Sequence, residues 1–135
     1  MTIRYSVRNE SGQSLIEFAL ASTVFLMVLF GTIEFGIGIW RYNMVADLAQ
    51  EGARWASVHG GGSTSPASTA DVQTYVQGRA PAFTVTVTTT PAAPSTLSPG
   101  TTVTVLVQTT YTPLTGLIPH TTMTFENTAT MRMAR

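Results

Sequence analysis

A long apolar run near the N-terminus dominates the hydrophobic pattern of the chain. From Phe18 to Trp40 the only charged side chain is Glu34. At about 1.5 Å of rise per residue, this run forms a helix of roughly 35 Å, which is long enough to cross a hydrocarbon core of about 30 Å. The pattern therefore predicts a membrane-spanning helix over about residues 15–40.

The helical pattern continues past this run to about His59. Residues 41–59 contain no proline and are rich in good helix formers. Small and apolar residues recur at three-to-four spacing, which predicts one packed face: Val45, Leu48, Ala49, Gly52 and Ala56. Polar side chains such as Ser57 lie elsewhere on the helix, and the three-residue spacing of Glu51 and Arg54 favours an ion pair. We expect the glycines at 60–62 to end the helix by taking the left-handed conformation.

The pattern changes to a period of two in the second half of the chain. A short helix is predicted over residues 71–79, with Thr69 or Asp71 near its cap. Three valine- and threonine-rich segments, near residues 83–88, 102–107 and 123–133, then alternate apolar and polar positions, which is typical of strands with one covered face. Asn127 falls on the apolar face of the last strand and predicts a bulge or an edge.

These elements predict an α+β fold in which the long helix continues into a small domain with a short helix and a three-stranded antiparallel sheet. An antiparallel meander packed against the outer half of the long helix is the simplest arrangement. The predicted division is a leader over 1–12, a long helix over 13–59 and a small α/β domain over 60–135. Within the helix, residues 15–40 form the anchor and residues 41–59 lie outside the membrane.

The carboxylate at the head of the apolar run needs an explanation. A charged Glu deep in a bilayer costs about 2.5–3.5 kcal/mol. Glu17 either lies at the cytoplasmic interface, where water reaches it, or forms a charge pair after the chain is cut. If a peptidase cuts after Gly12, Gln13 becomes the N-terminus and Glu17 can neutralise the terminal amine of a neighbouring copy. The other interpretation of residues 1–12 is the short tail of an uncleaved signal-anchor.

The arrangement of Gly12, Glu17 and Phe18 before an apolar helix resembles the processing site of type IV prepilins. Residues 12–36 resemble the TadE-like family of minor pilins (pseudopilins) of tight-adherence or Flp-type pilus systems. Residues 45–60 resemble the segment that follows the membrane helix in that family.

The resemblance implies a minor pilin for Flp pilus assembly, with links to cell adhesion and secretion. It implies cleavage between Gly12 and Gln13 by a prepilin peptidase, and assembly through Glu17 and Phe18 with major and minor pilins and the pilus assembly machinery. It also implies a single pass through the lipid of the bacterial inner membrane, N-terminus inside and C-terminus outside, an orientation that Arg4 and Arg8 favour slightly.

Four further positions of the helix are candidates for helix–helix contacts: Gly31, Glu34, Gly36 and Gly38. Glycine allows neighbouring membrane helices to approach closely. For Glu34 the sequence leaves two interpretations open. Its side chain lies either at the outer interface close to Arg41 or against a partner helix inside an assembly.

Composition narrows the remaining functions. The net charge is zero and all seven basic residues are scattered arginines, so nucleic-acid binding is not expected. With no cysteine, thiolate metal sites are excluded. A Ser63, His59 and Asp71 triad, or zinc held by His59 and His120, has little support, so no catalytic residue, metal or cofactor is predicted. The chain is not expected to be an enzyme. The alternative function is a membrane-anchored envelope protein with an outward binding domain.

Overall fold

The computed structural model describes residues 10–115 and 122–134. One helix, α1, begins at Glu10 and ends at Val58, so it begins a few residues earlier than predicted and rises about 73 Å. The remaining elements are α2 (Thr69–Arg79), β1 (Thr86–Thr90), a 3-10 turn (Pro94–Thr96), β2 (Thr102–Tyr111) and β3 (Met123–Arg132). The predicted α+β fold, with a long helix, a short helix and a three-stranded sheet, is confirmed.

The sheet is antiparallel throughout, in the order β1-β2-β3. The bulge that was one expectation for Asn127 is absent from the described strands. Asn127 lies opposite Val107 in the regular register of β2 and β3. The edge expectation is correct, since β3 is an outer strand. β3 runs in the same direction as α1, and the N–H of Ala134 donates to the carbonyl of Ser57 at the far end (2.8 Å).

The core lies between the valine face of the sheet, α2 and the second half of α1. Its helical side is the face predicted from the sequence, including Val45 and Leu48, and the sheet contributes Val103, Val105 and Val107. Gly52 lies at the closest approach: a Cβ there would lie 2.9 Å from Cγ2 of Val76. Ser57 is also buried, unlike its predicted position on the polar face.

The glycines after α1 have a different role from the one predicted. The helix ends close to residues 60–62, but Gly100 is the only glycine with a positive φ (87°) in the described part of the chain. Gly61 instead allows a close approach of two backbones. Its N–H donates to the carbonyl of Leu97 (3.0 Å), and a Cβ would lie 2.8 Å from the carbonyl oxygen of Ser95.

The helix α2 is capped one residue earlier than expected. Ser68 is the N-cap, and its hydroxyl accepts from the N–H of Asp71 while its own N–H and hydroxyl donate to the Asp71 carboxylate. This reciprocal capping box fixes the start of the helix. These hydrogen bonds, first that from the Ser68 N–H, hold the pKa of Asp71 below its usual value.

Two glutamines of α2 pair with the backbone at the start of β1. The side chain of Gln73 donates to the carbonyl of Val85 (2.7 Å) and accepts from the N–H of Val87 (2.6 Å). One turn later, Gln77 donates to the carbonyl of Phe83 (3.1 Å) and accepts from the N–H of Val85 (3.0 Å). The amides thus take the place of a neighbouring strand and cover an edge that would otherwise be open to another chain.

Glu51 does not use Arg54, the basic residue three positions on, as its ion-pair partner. Its carboxylate instead forms an ion pair with Arg79 at the end of α2 (2.7 Å) and accepts a hydrogen bond from the Tyr75 hydroxyl (3.1 Å). The pairing therefore joins two helices rather than two turns of one helix. Burial raises the pKa of Tyr75 above its ordinary value.

Candidate functional site

The first half of α1 contributes no buried side chain to the fold in the described part of the chain. Between Gly12 and Ile33 no side chain is buried, and Glu34 is the first buried residue along the helix. Large apolar side chains are exposed throughout, including Phe18 (72%) and Phe25 (65%). Among the described residues, α1 is the one helix long and apolar enough to span a membrane, and none of its most apolar stretch is buried.

Polar groups within this half are few, and two of them are satisfied inside the helix. The hydroxyl of Thr23 donates to the carbonyl of Ala19 (2.8 Å), and that of Thr32 donates to the carbonyl of Val28 (2.8 Å). Such bonds to the preceding turn remove free hydroxyl donors. These threonines are therefore compatible with an apolar surrounding.

The residues predicted to act in processing and assembly lie together at the start of α1. Gly12 and Gln13 are exposed in the first helical turns, where helix ends fray. Glu17 and Phe18 are exposed on the following turns. No basic side chain lies within salt-bridge distance of Glu17 in the part of the chain that the structure describes.

The three glycines predicted for helix–helix contacts are open on their side-chain side. A Cβ added at Gly31, Gly36 or Gly38 would meet no heavy atom within 4 Å. Gly52 on the same helix is the opposite case, because it is packed against α2 and β2. The need for glycine at the first three positions therefore does not come from packing within the described chain.

Glu34 is the centre of a hydrogen-bonded cluster that the sequence did not predict. Its side chain is 3% exposed. One carboxylate oxygen accepts from the Tyr111 hydroxyl and from the N–H of Leu114 (2.8 Å), and the other accepts from the N–H (3.0 Å) and hydroxyl (2.7 Å) of Thr115. We call these four residues the Glu34 clasp. It joins α1 to the end of β2 and the turn that follows.

The clasp shows that the Glu34 carboxylate is buried within the chain, whichever side of the interface it lies on. A carboxylate at the edge of an apolar region is costly unless its oxygens are hydrogen-bonded, and here the domain supplies four donors. Both oxygens are occupied within the chain. The structure therefore gives Glu34 an intramolecular role that neither interpretation of the sequence included.

Arg41 lies above the clasp and is held between aromatic rings. Its guanidinium carbon is 5.1 Å from the ring centre of Phe83 and 5.0 Å from that of Tyr111, and Nη1 donates to the carbonyl of Thr110 (3.2 Å). Cation–π contacts of this kind are stabilising. Burial, and then the hydrogen bond to Glu34, raise the pKa of Tyr111, so its hydroxyl stays protonated and donates.

A sequence signal for the clasp exists in the helical register. Glu34 precedes the buried Val45 by eleven residues, which is about three helical turns. The positions 34, 38, 41, 45, 48 and 52 follow alternating steps of four and three, so Glu34 extends the packed face toward the N-terminus. A charged residue on such a face predicts buried donors opposite it. The identity of those donors, about 80 residues away in the chain, has no local signal.

The family model described as TadE-like protein matches residues 12–54. This N-terminal segment is TadE-like. The match confirms the resemblance predicted from the sequence and covers most of α1, from its exposed first half into the half that packs on the sheet. Comparisons with curated proteins and with solved structures find no match.

The TadE-like match and the exposed apolar helix together fit a single-pass, pilin-like membrane protein. TadE-like pilins are structural proteins rather than enzymes. The TadE-like segment also ends before the short helix and the sheet, so the family match concerns the anchor and the helix above it. The role of the small domain has to be inferred from its own structure.

Beyond the TadE-like segment, a cavity of about 450 Å³ opens near the C-terminal end of α1. Its lining includes Trp55, His59, Asp71 and Tyr75. The Trp55 ring stacks on both His59 (centroids 4.0 Å apart) and Tyr75 (4.9 Å apart). The cavity is therefore bordered by an aromatic stack at the end of the domain away from the apolar half of α1.

The polar groups near this cavity are engaged in local structure. Nδ1 of His59 bonds to the carbonyl of Trp55 (2.8 Å), the Asp71 carboxylate caps α2, and the Ser63 hydroxyl accepts from the N–H of Ser65 (3.3 Å). These bonds do not form a catalytic triad. Within residues 10–115 and 122–134, no three acidic or histidine side chains form a metal-binding group, and His120 lies outside those residues.

Proposed function

We propose that the chain is a minor pilin-like (pseudopilin) subunit for assembly of a Flp-type, tight-adherence type IV pilus. In this role it inserts into the bacterial inner membrane with its N-terminus inside, is cut after Gly12 by a prepilin peptidase, and joins other pilins through the N-terminal half of α1. The sheet domain then lies on the outer side of the membrane. The function is structural, without catalysis or a cofactor.

The observation that carries this proposal is the division of α1 within the TadE-like match. Residues 12–33 expose an apolar surface that the described chain leaves uncovered, whereas the rest of the helix is packed into a domain. Soluble monomers rarely expose contiguous apolar surface of this extent. Lipid covers it in the membrane, and neighbouring pilin helices cover it in an assembled pilus.

Cleavage gives Glu17 a partner in such an assembly. After cutting, Gln13 carries a new α-ammonium group, and Glu17 is the fifth residue of the mature chain. Two opposite charges in an apolar surrounding stabilise each other when they pair, while either alone is strongly destabilising. A neighbouring subunit whose terminal amine lies beside Glu17 therefore sets the axial register between the two helices.

Processing is tested by mass spectrometry of the protein from membranes of a host with a prepilin peptidase. The expected mature chain begins at Gln13. The same host without the peptidase is the control and should yield the longer chain. A Gly12→Val variant should remain uncut, because a branched side chain then replaces the glycine at the proposed cut. An uncut wild-type chain, in cells that process their other pilins, would overturn this step.

Assembly is tested with Glu17→Gln, which removes the charge and keeps the size of the side chain. We expect normal membrane insertion and a loss of pili in electron micrographs. Asp47→Asn is the matched control, because Asp47 is an exposed carboxylate on the same helix outside the apolar half, and should leave pilus numbers unchanged. Wild-type pilus numbers in Glu17→Gln would remove the charge-pairing mechanism.

The alternative, an envelope-anchored protein with an outward binding domain, is favoured by one observation, the aromatic-bordered cavity near the end of α1. In that case residues 12–33 serve only for attachment. A protein of this kind would retain its function when its anchor is exchanged for an unrelated spanning helix. The pilin proposal predicts the opposite result.

A further inference from the structure

The apolar surface of α1 continues past Glu34 onto the base of the folded domain. Five large side chains there are half-exposed or more exposed, and we call them the basal surface: Phe35 (70%), Ile39 (47%), Trp40 (50%), Tyr42 (51%) and Leu114 (79%). Four belong to α1, and Leu114 belongs to the turn that follows β2. This surface is formed by a packed part of the chain, so it is distinct from the bare anchor below it.

An apolar groove of about 350 Å³ opens within the basal surface. It runs between α1 and the outer strand β3, and its lining includes Phe35, Ile39, Tyr42, Tyr111, Met123 and Phe125. Gly38 lies on the helical wall of this groove, and the absence of a side chain there keeps it open. The Tyr42 and Phe125 rings meet edge to face, with centroids 6.3 Å apart.

The depth of the basal surface follows from the length of the exposed helix. Residues 15–33 rise about 28 Å, which matches a hydrocarbon core of about 30 Å. The next turns of α1 then enter the headgroup layer, which is about 5–8 Å thick on each side. Trp40 lies about 10 Å above residue 33. Helical side chains point back toward the N-terminus, so its ring reaches down to that layer, where tryptophan is enriched.

The Glu34 clasp holds Leu114 at the same level. The N–H groups of Leu114 and Thr115 both donate to the Glu34 carboxylate, so the turn cannot move away from the helix at this depth. Leu114 is nevertheless 79% exposed. The backbone bonds therefore hold an exposed leucine beside the upper end of the apolar helix.

We propose that the basal surface contacts phospholipid of the outer leaflet, with an acyl chain lying in the groove between α1 and β3. The proposal rests on the membrane-spanning role of α1 and does not depend on cleavage or pilus assembly. Continuity with the exposed apolar helix favours lipid as the occupant, because α1 is unbroken from residue 12 to the groove. The boundary of the anchor then lies at Glu34, and residues 35–40 belong to the interface.

Site-directed spin labelling of the full chain in phosphatidylcholine vesicles tests this proposal. The chain has no cysteine, so single labels can be attached at Leu114→Cys and at Phe35→Cys, both at exposed positions. Met27→Cys (57% exposed) marks the membrane interior, and Val58→Cys (43% exposed) marks the distal end of α1. The measurement is the collision of each label with dissolved oxygen, which concentrates in lipid, and with a water-soluble nickel chelate.

We expect the ratio of oxygen to nickel collisions to be several-fold higher for the labels at 114 and 35 than for the label at 58. The label at 27 should show a similarly high ratio. If the label at residue 27 favours oxygen while the labels at 114 and 35 behave like the label at 58, the lipid contact is overturned. The assignment of α1 as a membrane-spanning helix is then unaffected. If the label at 27 is itself accessible to nickel, the membrane assignment fails as well. The label at residue 114 could instead be shielded from both reagents and show spin–spin broadening that disappears when unlabelled protein is added. That result would assign the groove to a second copy of the chain and overturn the lipid contact.

Discussion

The two halves of α1 have opposite surroundings although they form one unbroken helix. Below Glu34 every side chain from residue 12 is at least partly exposed, and a Cβ added at Gly12 or Gly31 would meet open space. Above Glu34 the helix contributes Val45, Leu48 and Ala49 to the core, and Gly52 is packed too tightly to accept a methyl group without movement. The same helical geometry therefore serves an intramolecular core in one half and an external surface in the other.

This difference explains why the two halves should respond differently to substitution. A buried residue of the upper half is constrained by contacts inside the chain, so its replacement changes the free energy of unfolding of the domain. In the proposed function, a residue in the lower half contacts lipid or other subunits, so we expect its replacement to change insertion or assembly. Glu34, whose carboxylate lies at the junction, belongs to the upper half by its contacts.

The largest expected effect on stability comes from Gly52→Leu. The new side chain would overlap Val76 and Val105. Overpacking costs about 1–3 kcal/mol and sometimes more, which is a large fraction of the stability of a small domain. Gly36→Leu is the matched control, because its side chain meets open space. Thermal unfolding followed by circular dichroism in detergent should show a lowered Tm only for Gly52→Leu. Equal Tm values would contradict the observed packing of the upper half.

A smaller loss of stability is expected from Glu34→Ala, which removes the acceptor of four hydrogen bonds. The buried Tyr111 hydroxyl and the two backbone N–H groups are then left without partners. Hydrogen exchange should accelerate at the amides of Leu114 and Thr115 while the valine core stays protected. Glu51→Ala is the control, since its half-exposed ion pair with Arg79 stabilises by no more than about 1 kcal/mol. Unchanged exchange at residues 114 and 115 would exclude the clasp.

Gln73→Ala tests whether the glutamine amides of α2 stabilise the edge of β1. It removes one donor and one acceptor bonded to the strand backbone, which should cost about 1–3 kcal/mol. Thr74→Ala changes the neighbouring residue of the same helix, whose hydroxyl bonds only to its own preceding turn, and should cost less than about 0.5 kcal/mol. Chemical denaturation of both variants measures the difference. Similar midpoints would mean that the amides do not support the strand.

The smallest expected effect is the pH dependence contributed by Asp71. Hydrogen bonds from Ser68 lower the pKa of this carboxyl in the folded chain, so the contribution to stability is present above its ordinary pKa of about 3.9 and is lost as pH falls through the folded value. Asp71→Asn should therefore lower the Tm at pH 7 but change it little near pH 2. An equal loss at both pH values would indicate that the charged capping box is not the cause.

Patterns with a short repeat predicted most of the fold. Alternating valine and threonine gave β2 its buried face at Val103, Val105 and Val107, and the three-to-four spacing of Val45 and Leu48 gave the packed face of α1. These periodicities follow from strand and helix geometry alone. The residues proposed for processing and assembly also came from a local pattern, because Gly12, Glu17 and Phe18 lie within a few positions of one another.

The long-range polar contacts could not be predicted from such patterns. The partners of Glu34 lie 77 to 81 residues away, and Glu51 bonds to α2 rather than to its own helix. The sequence around a side-chain donor or acceptor does not indicate which distant residue it bonds to. The role of Gly61 was missed for a related reason, since a close backbone approach and a left-handed conformation both favour glycine.

In the proposed function, residues 12–33 contact only lipid and other subunits, and the domain from Glu34 onward folds independently of them. Replacing residues 13–33 with an unrelated apolar helix of equal length separates these two roles, with the domain Tm and the number of pili as readouts. We expect an unchanged Tm, normal membrane insertion and no pili. Wild-type pilus numbers with the foreign helix would contradict the proposed function.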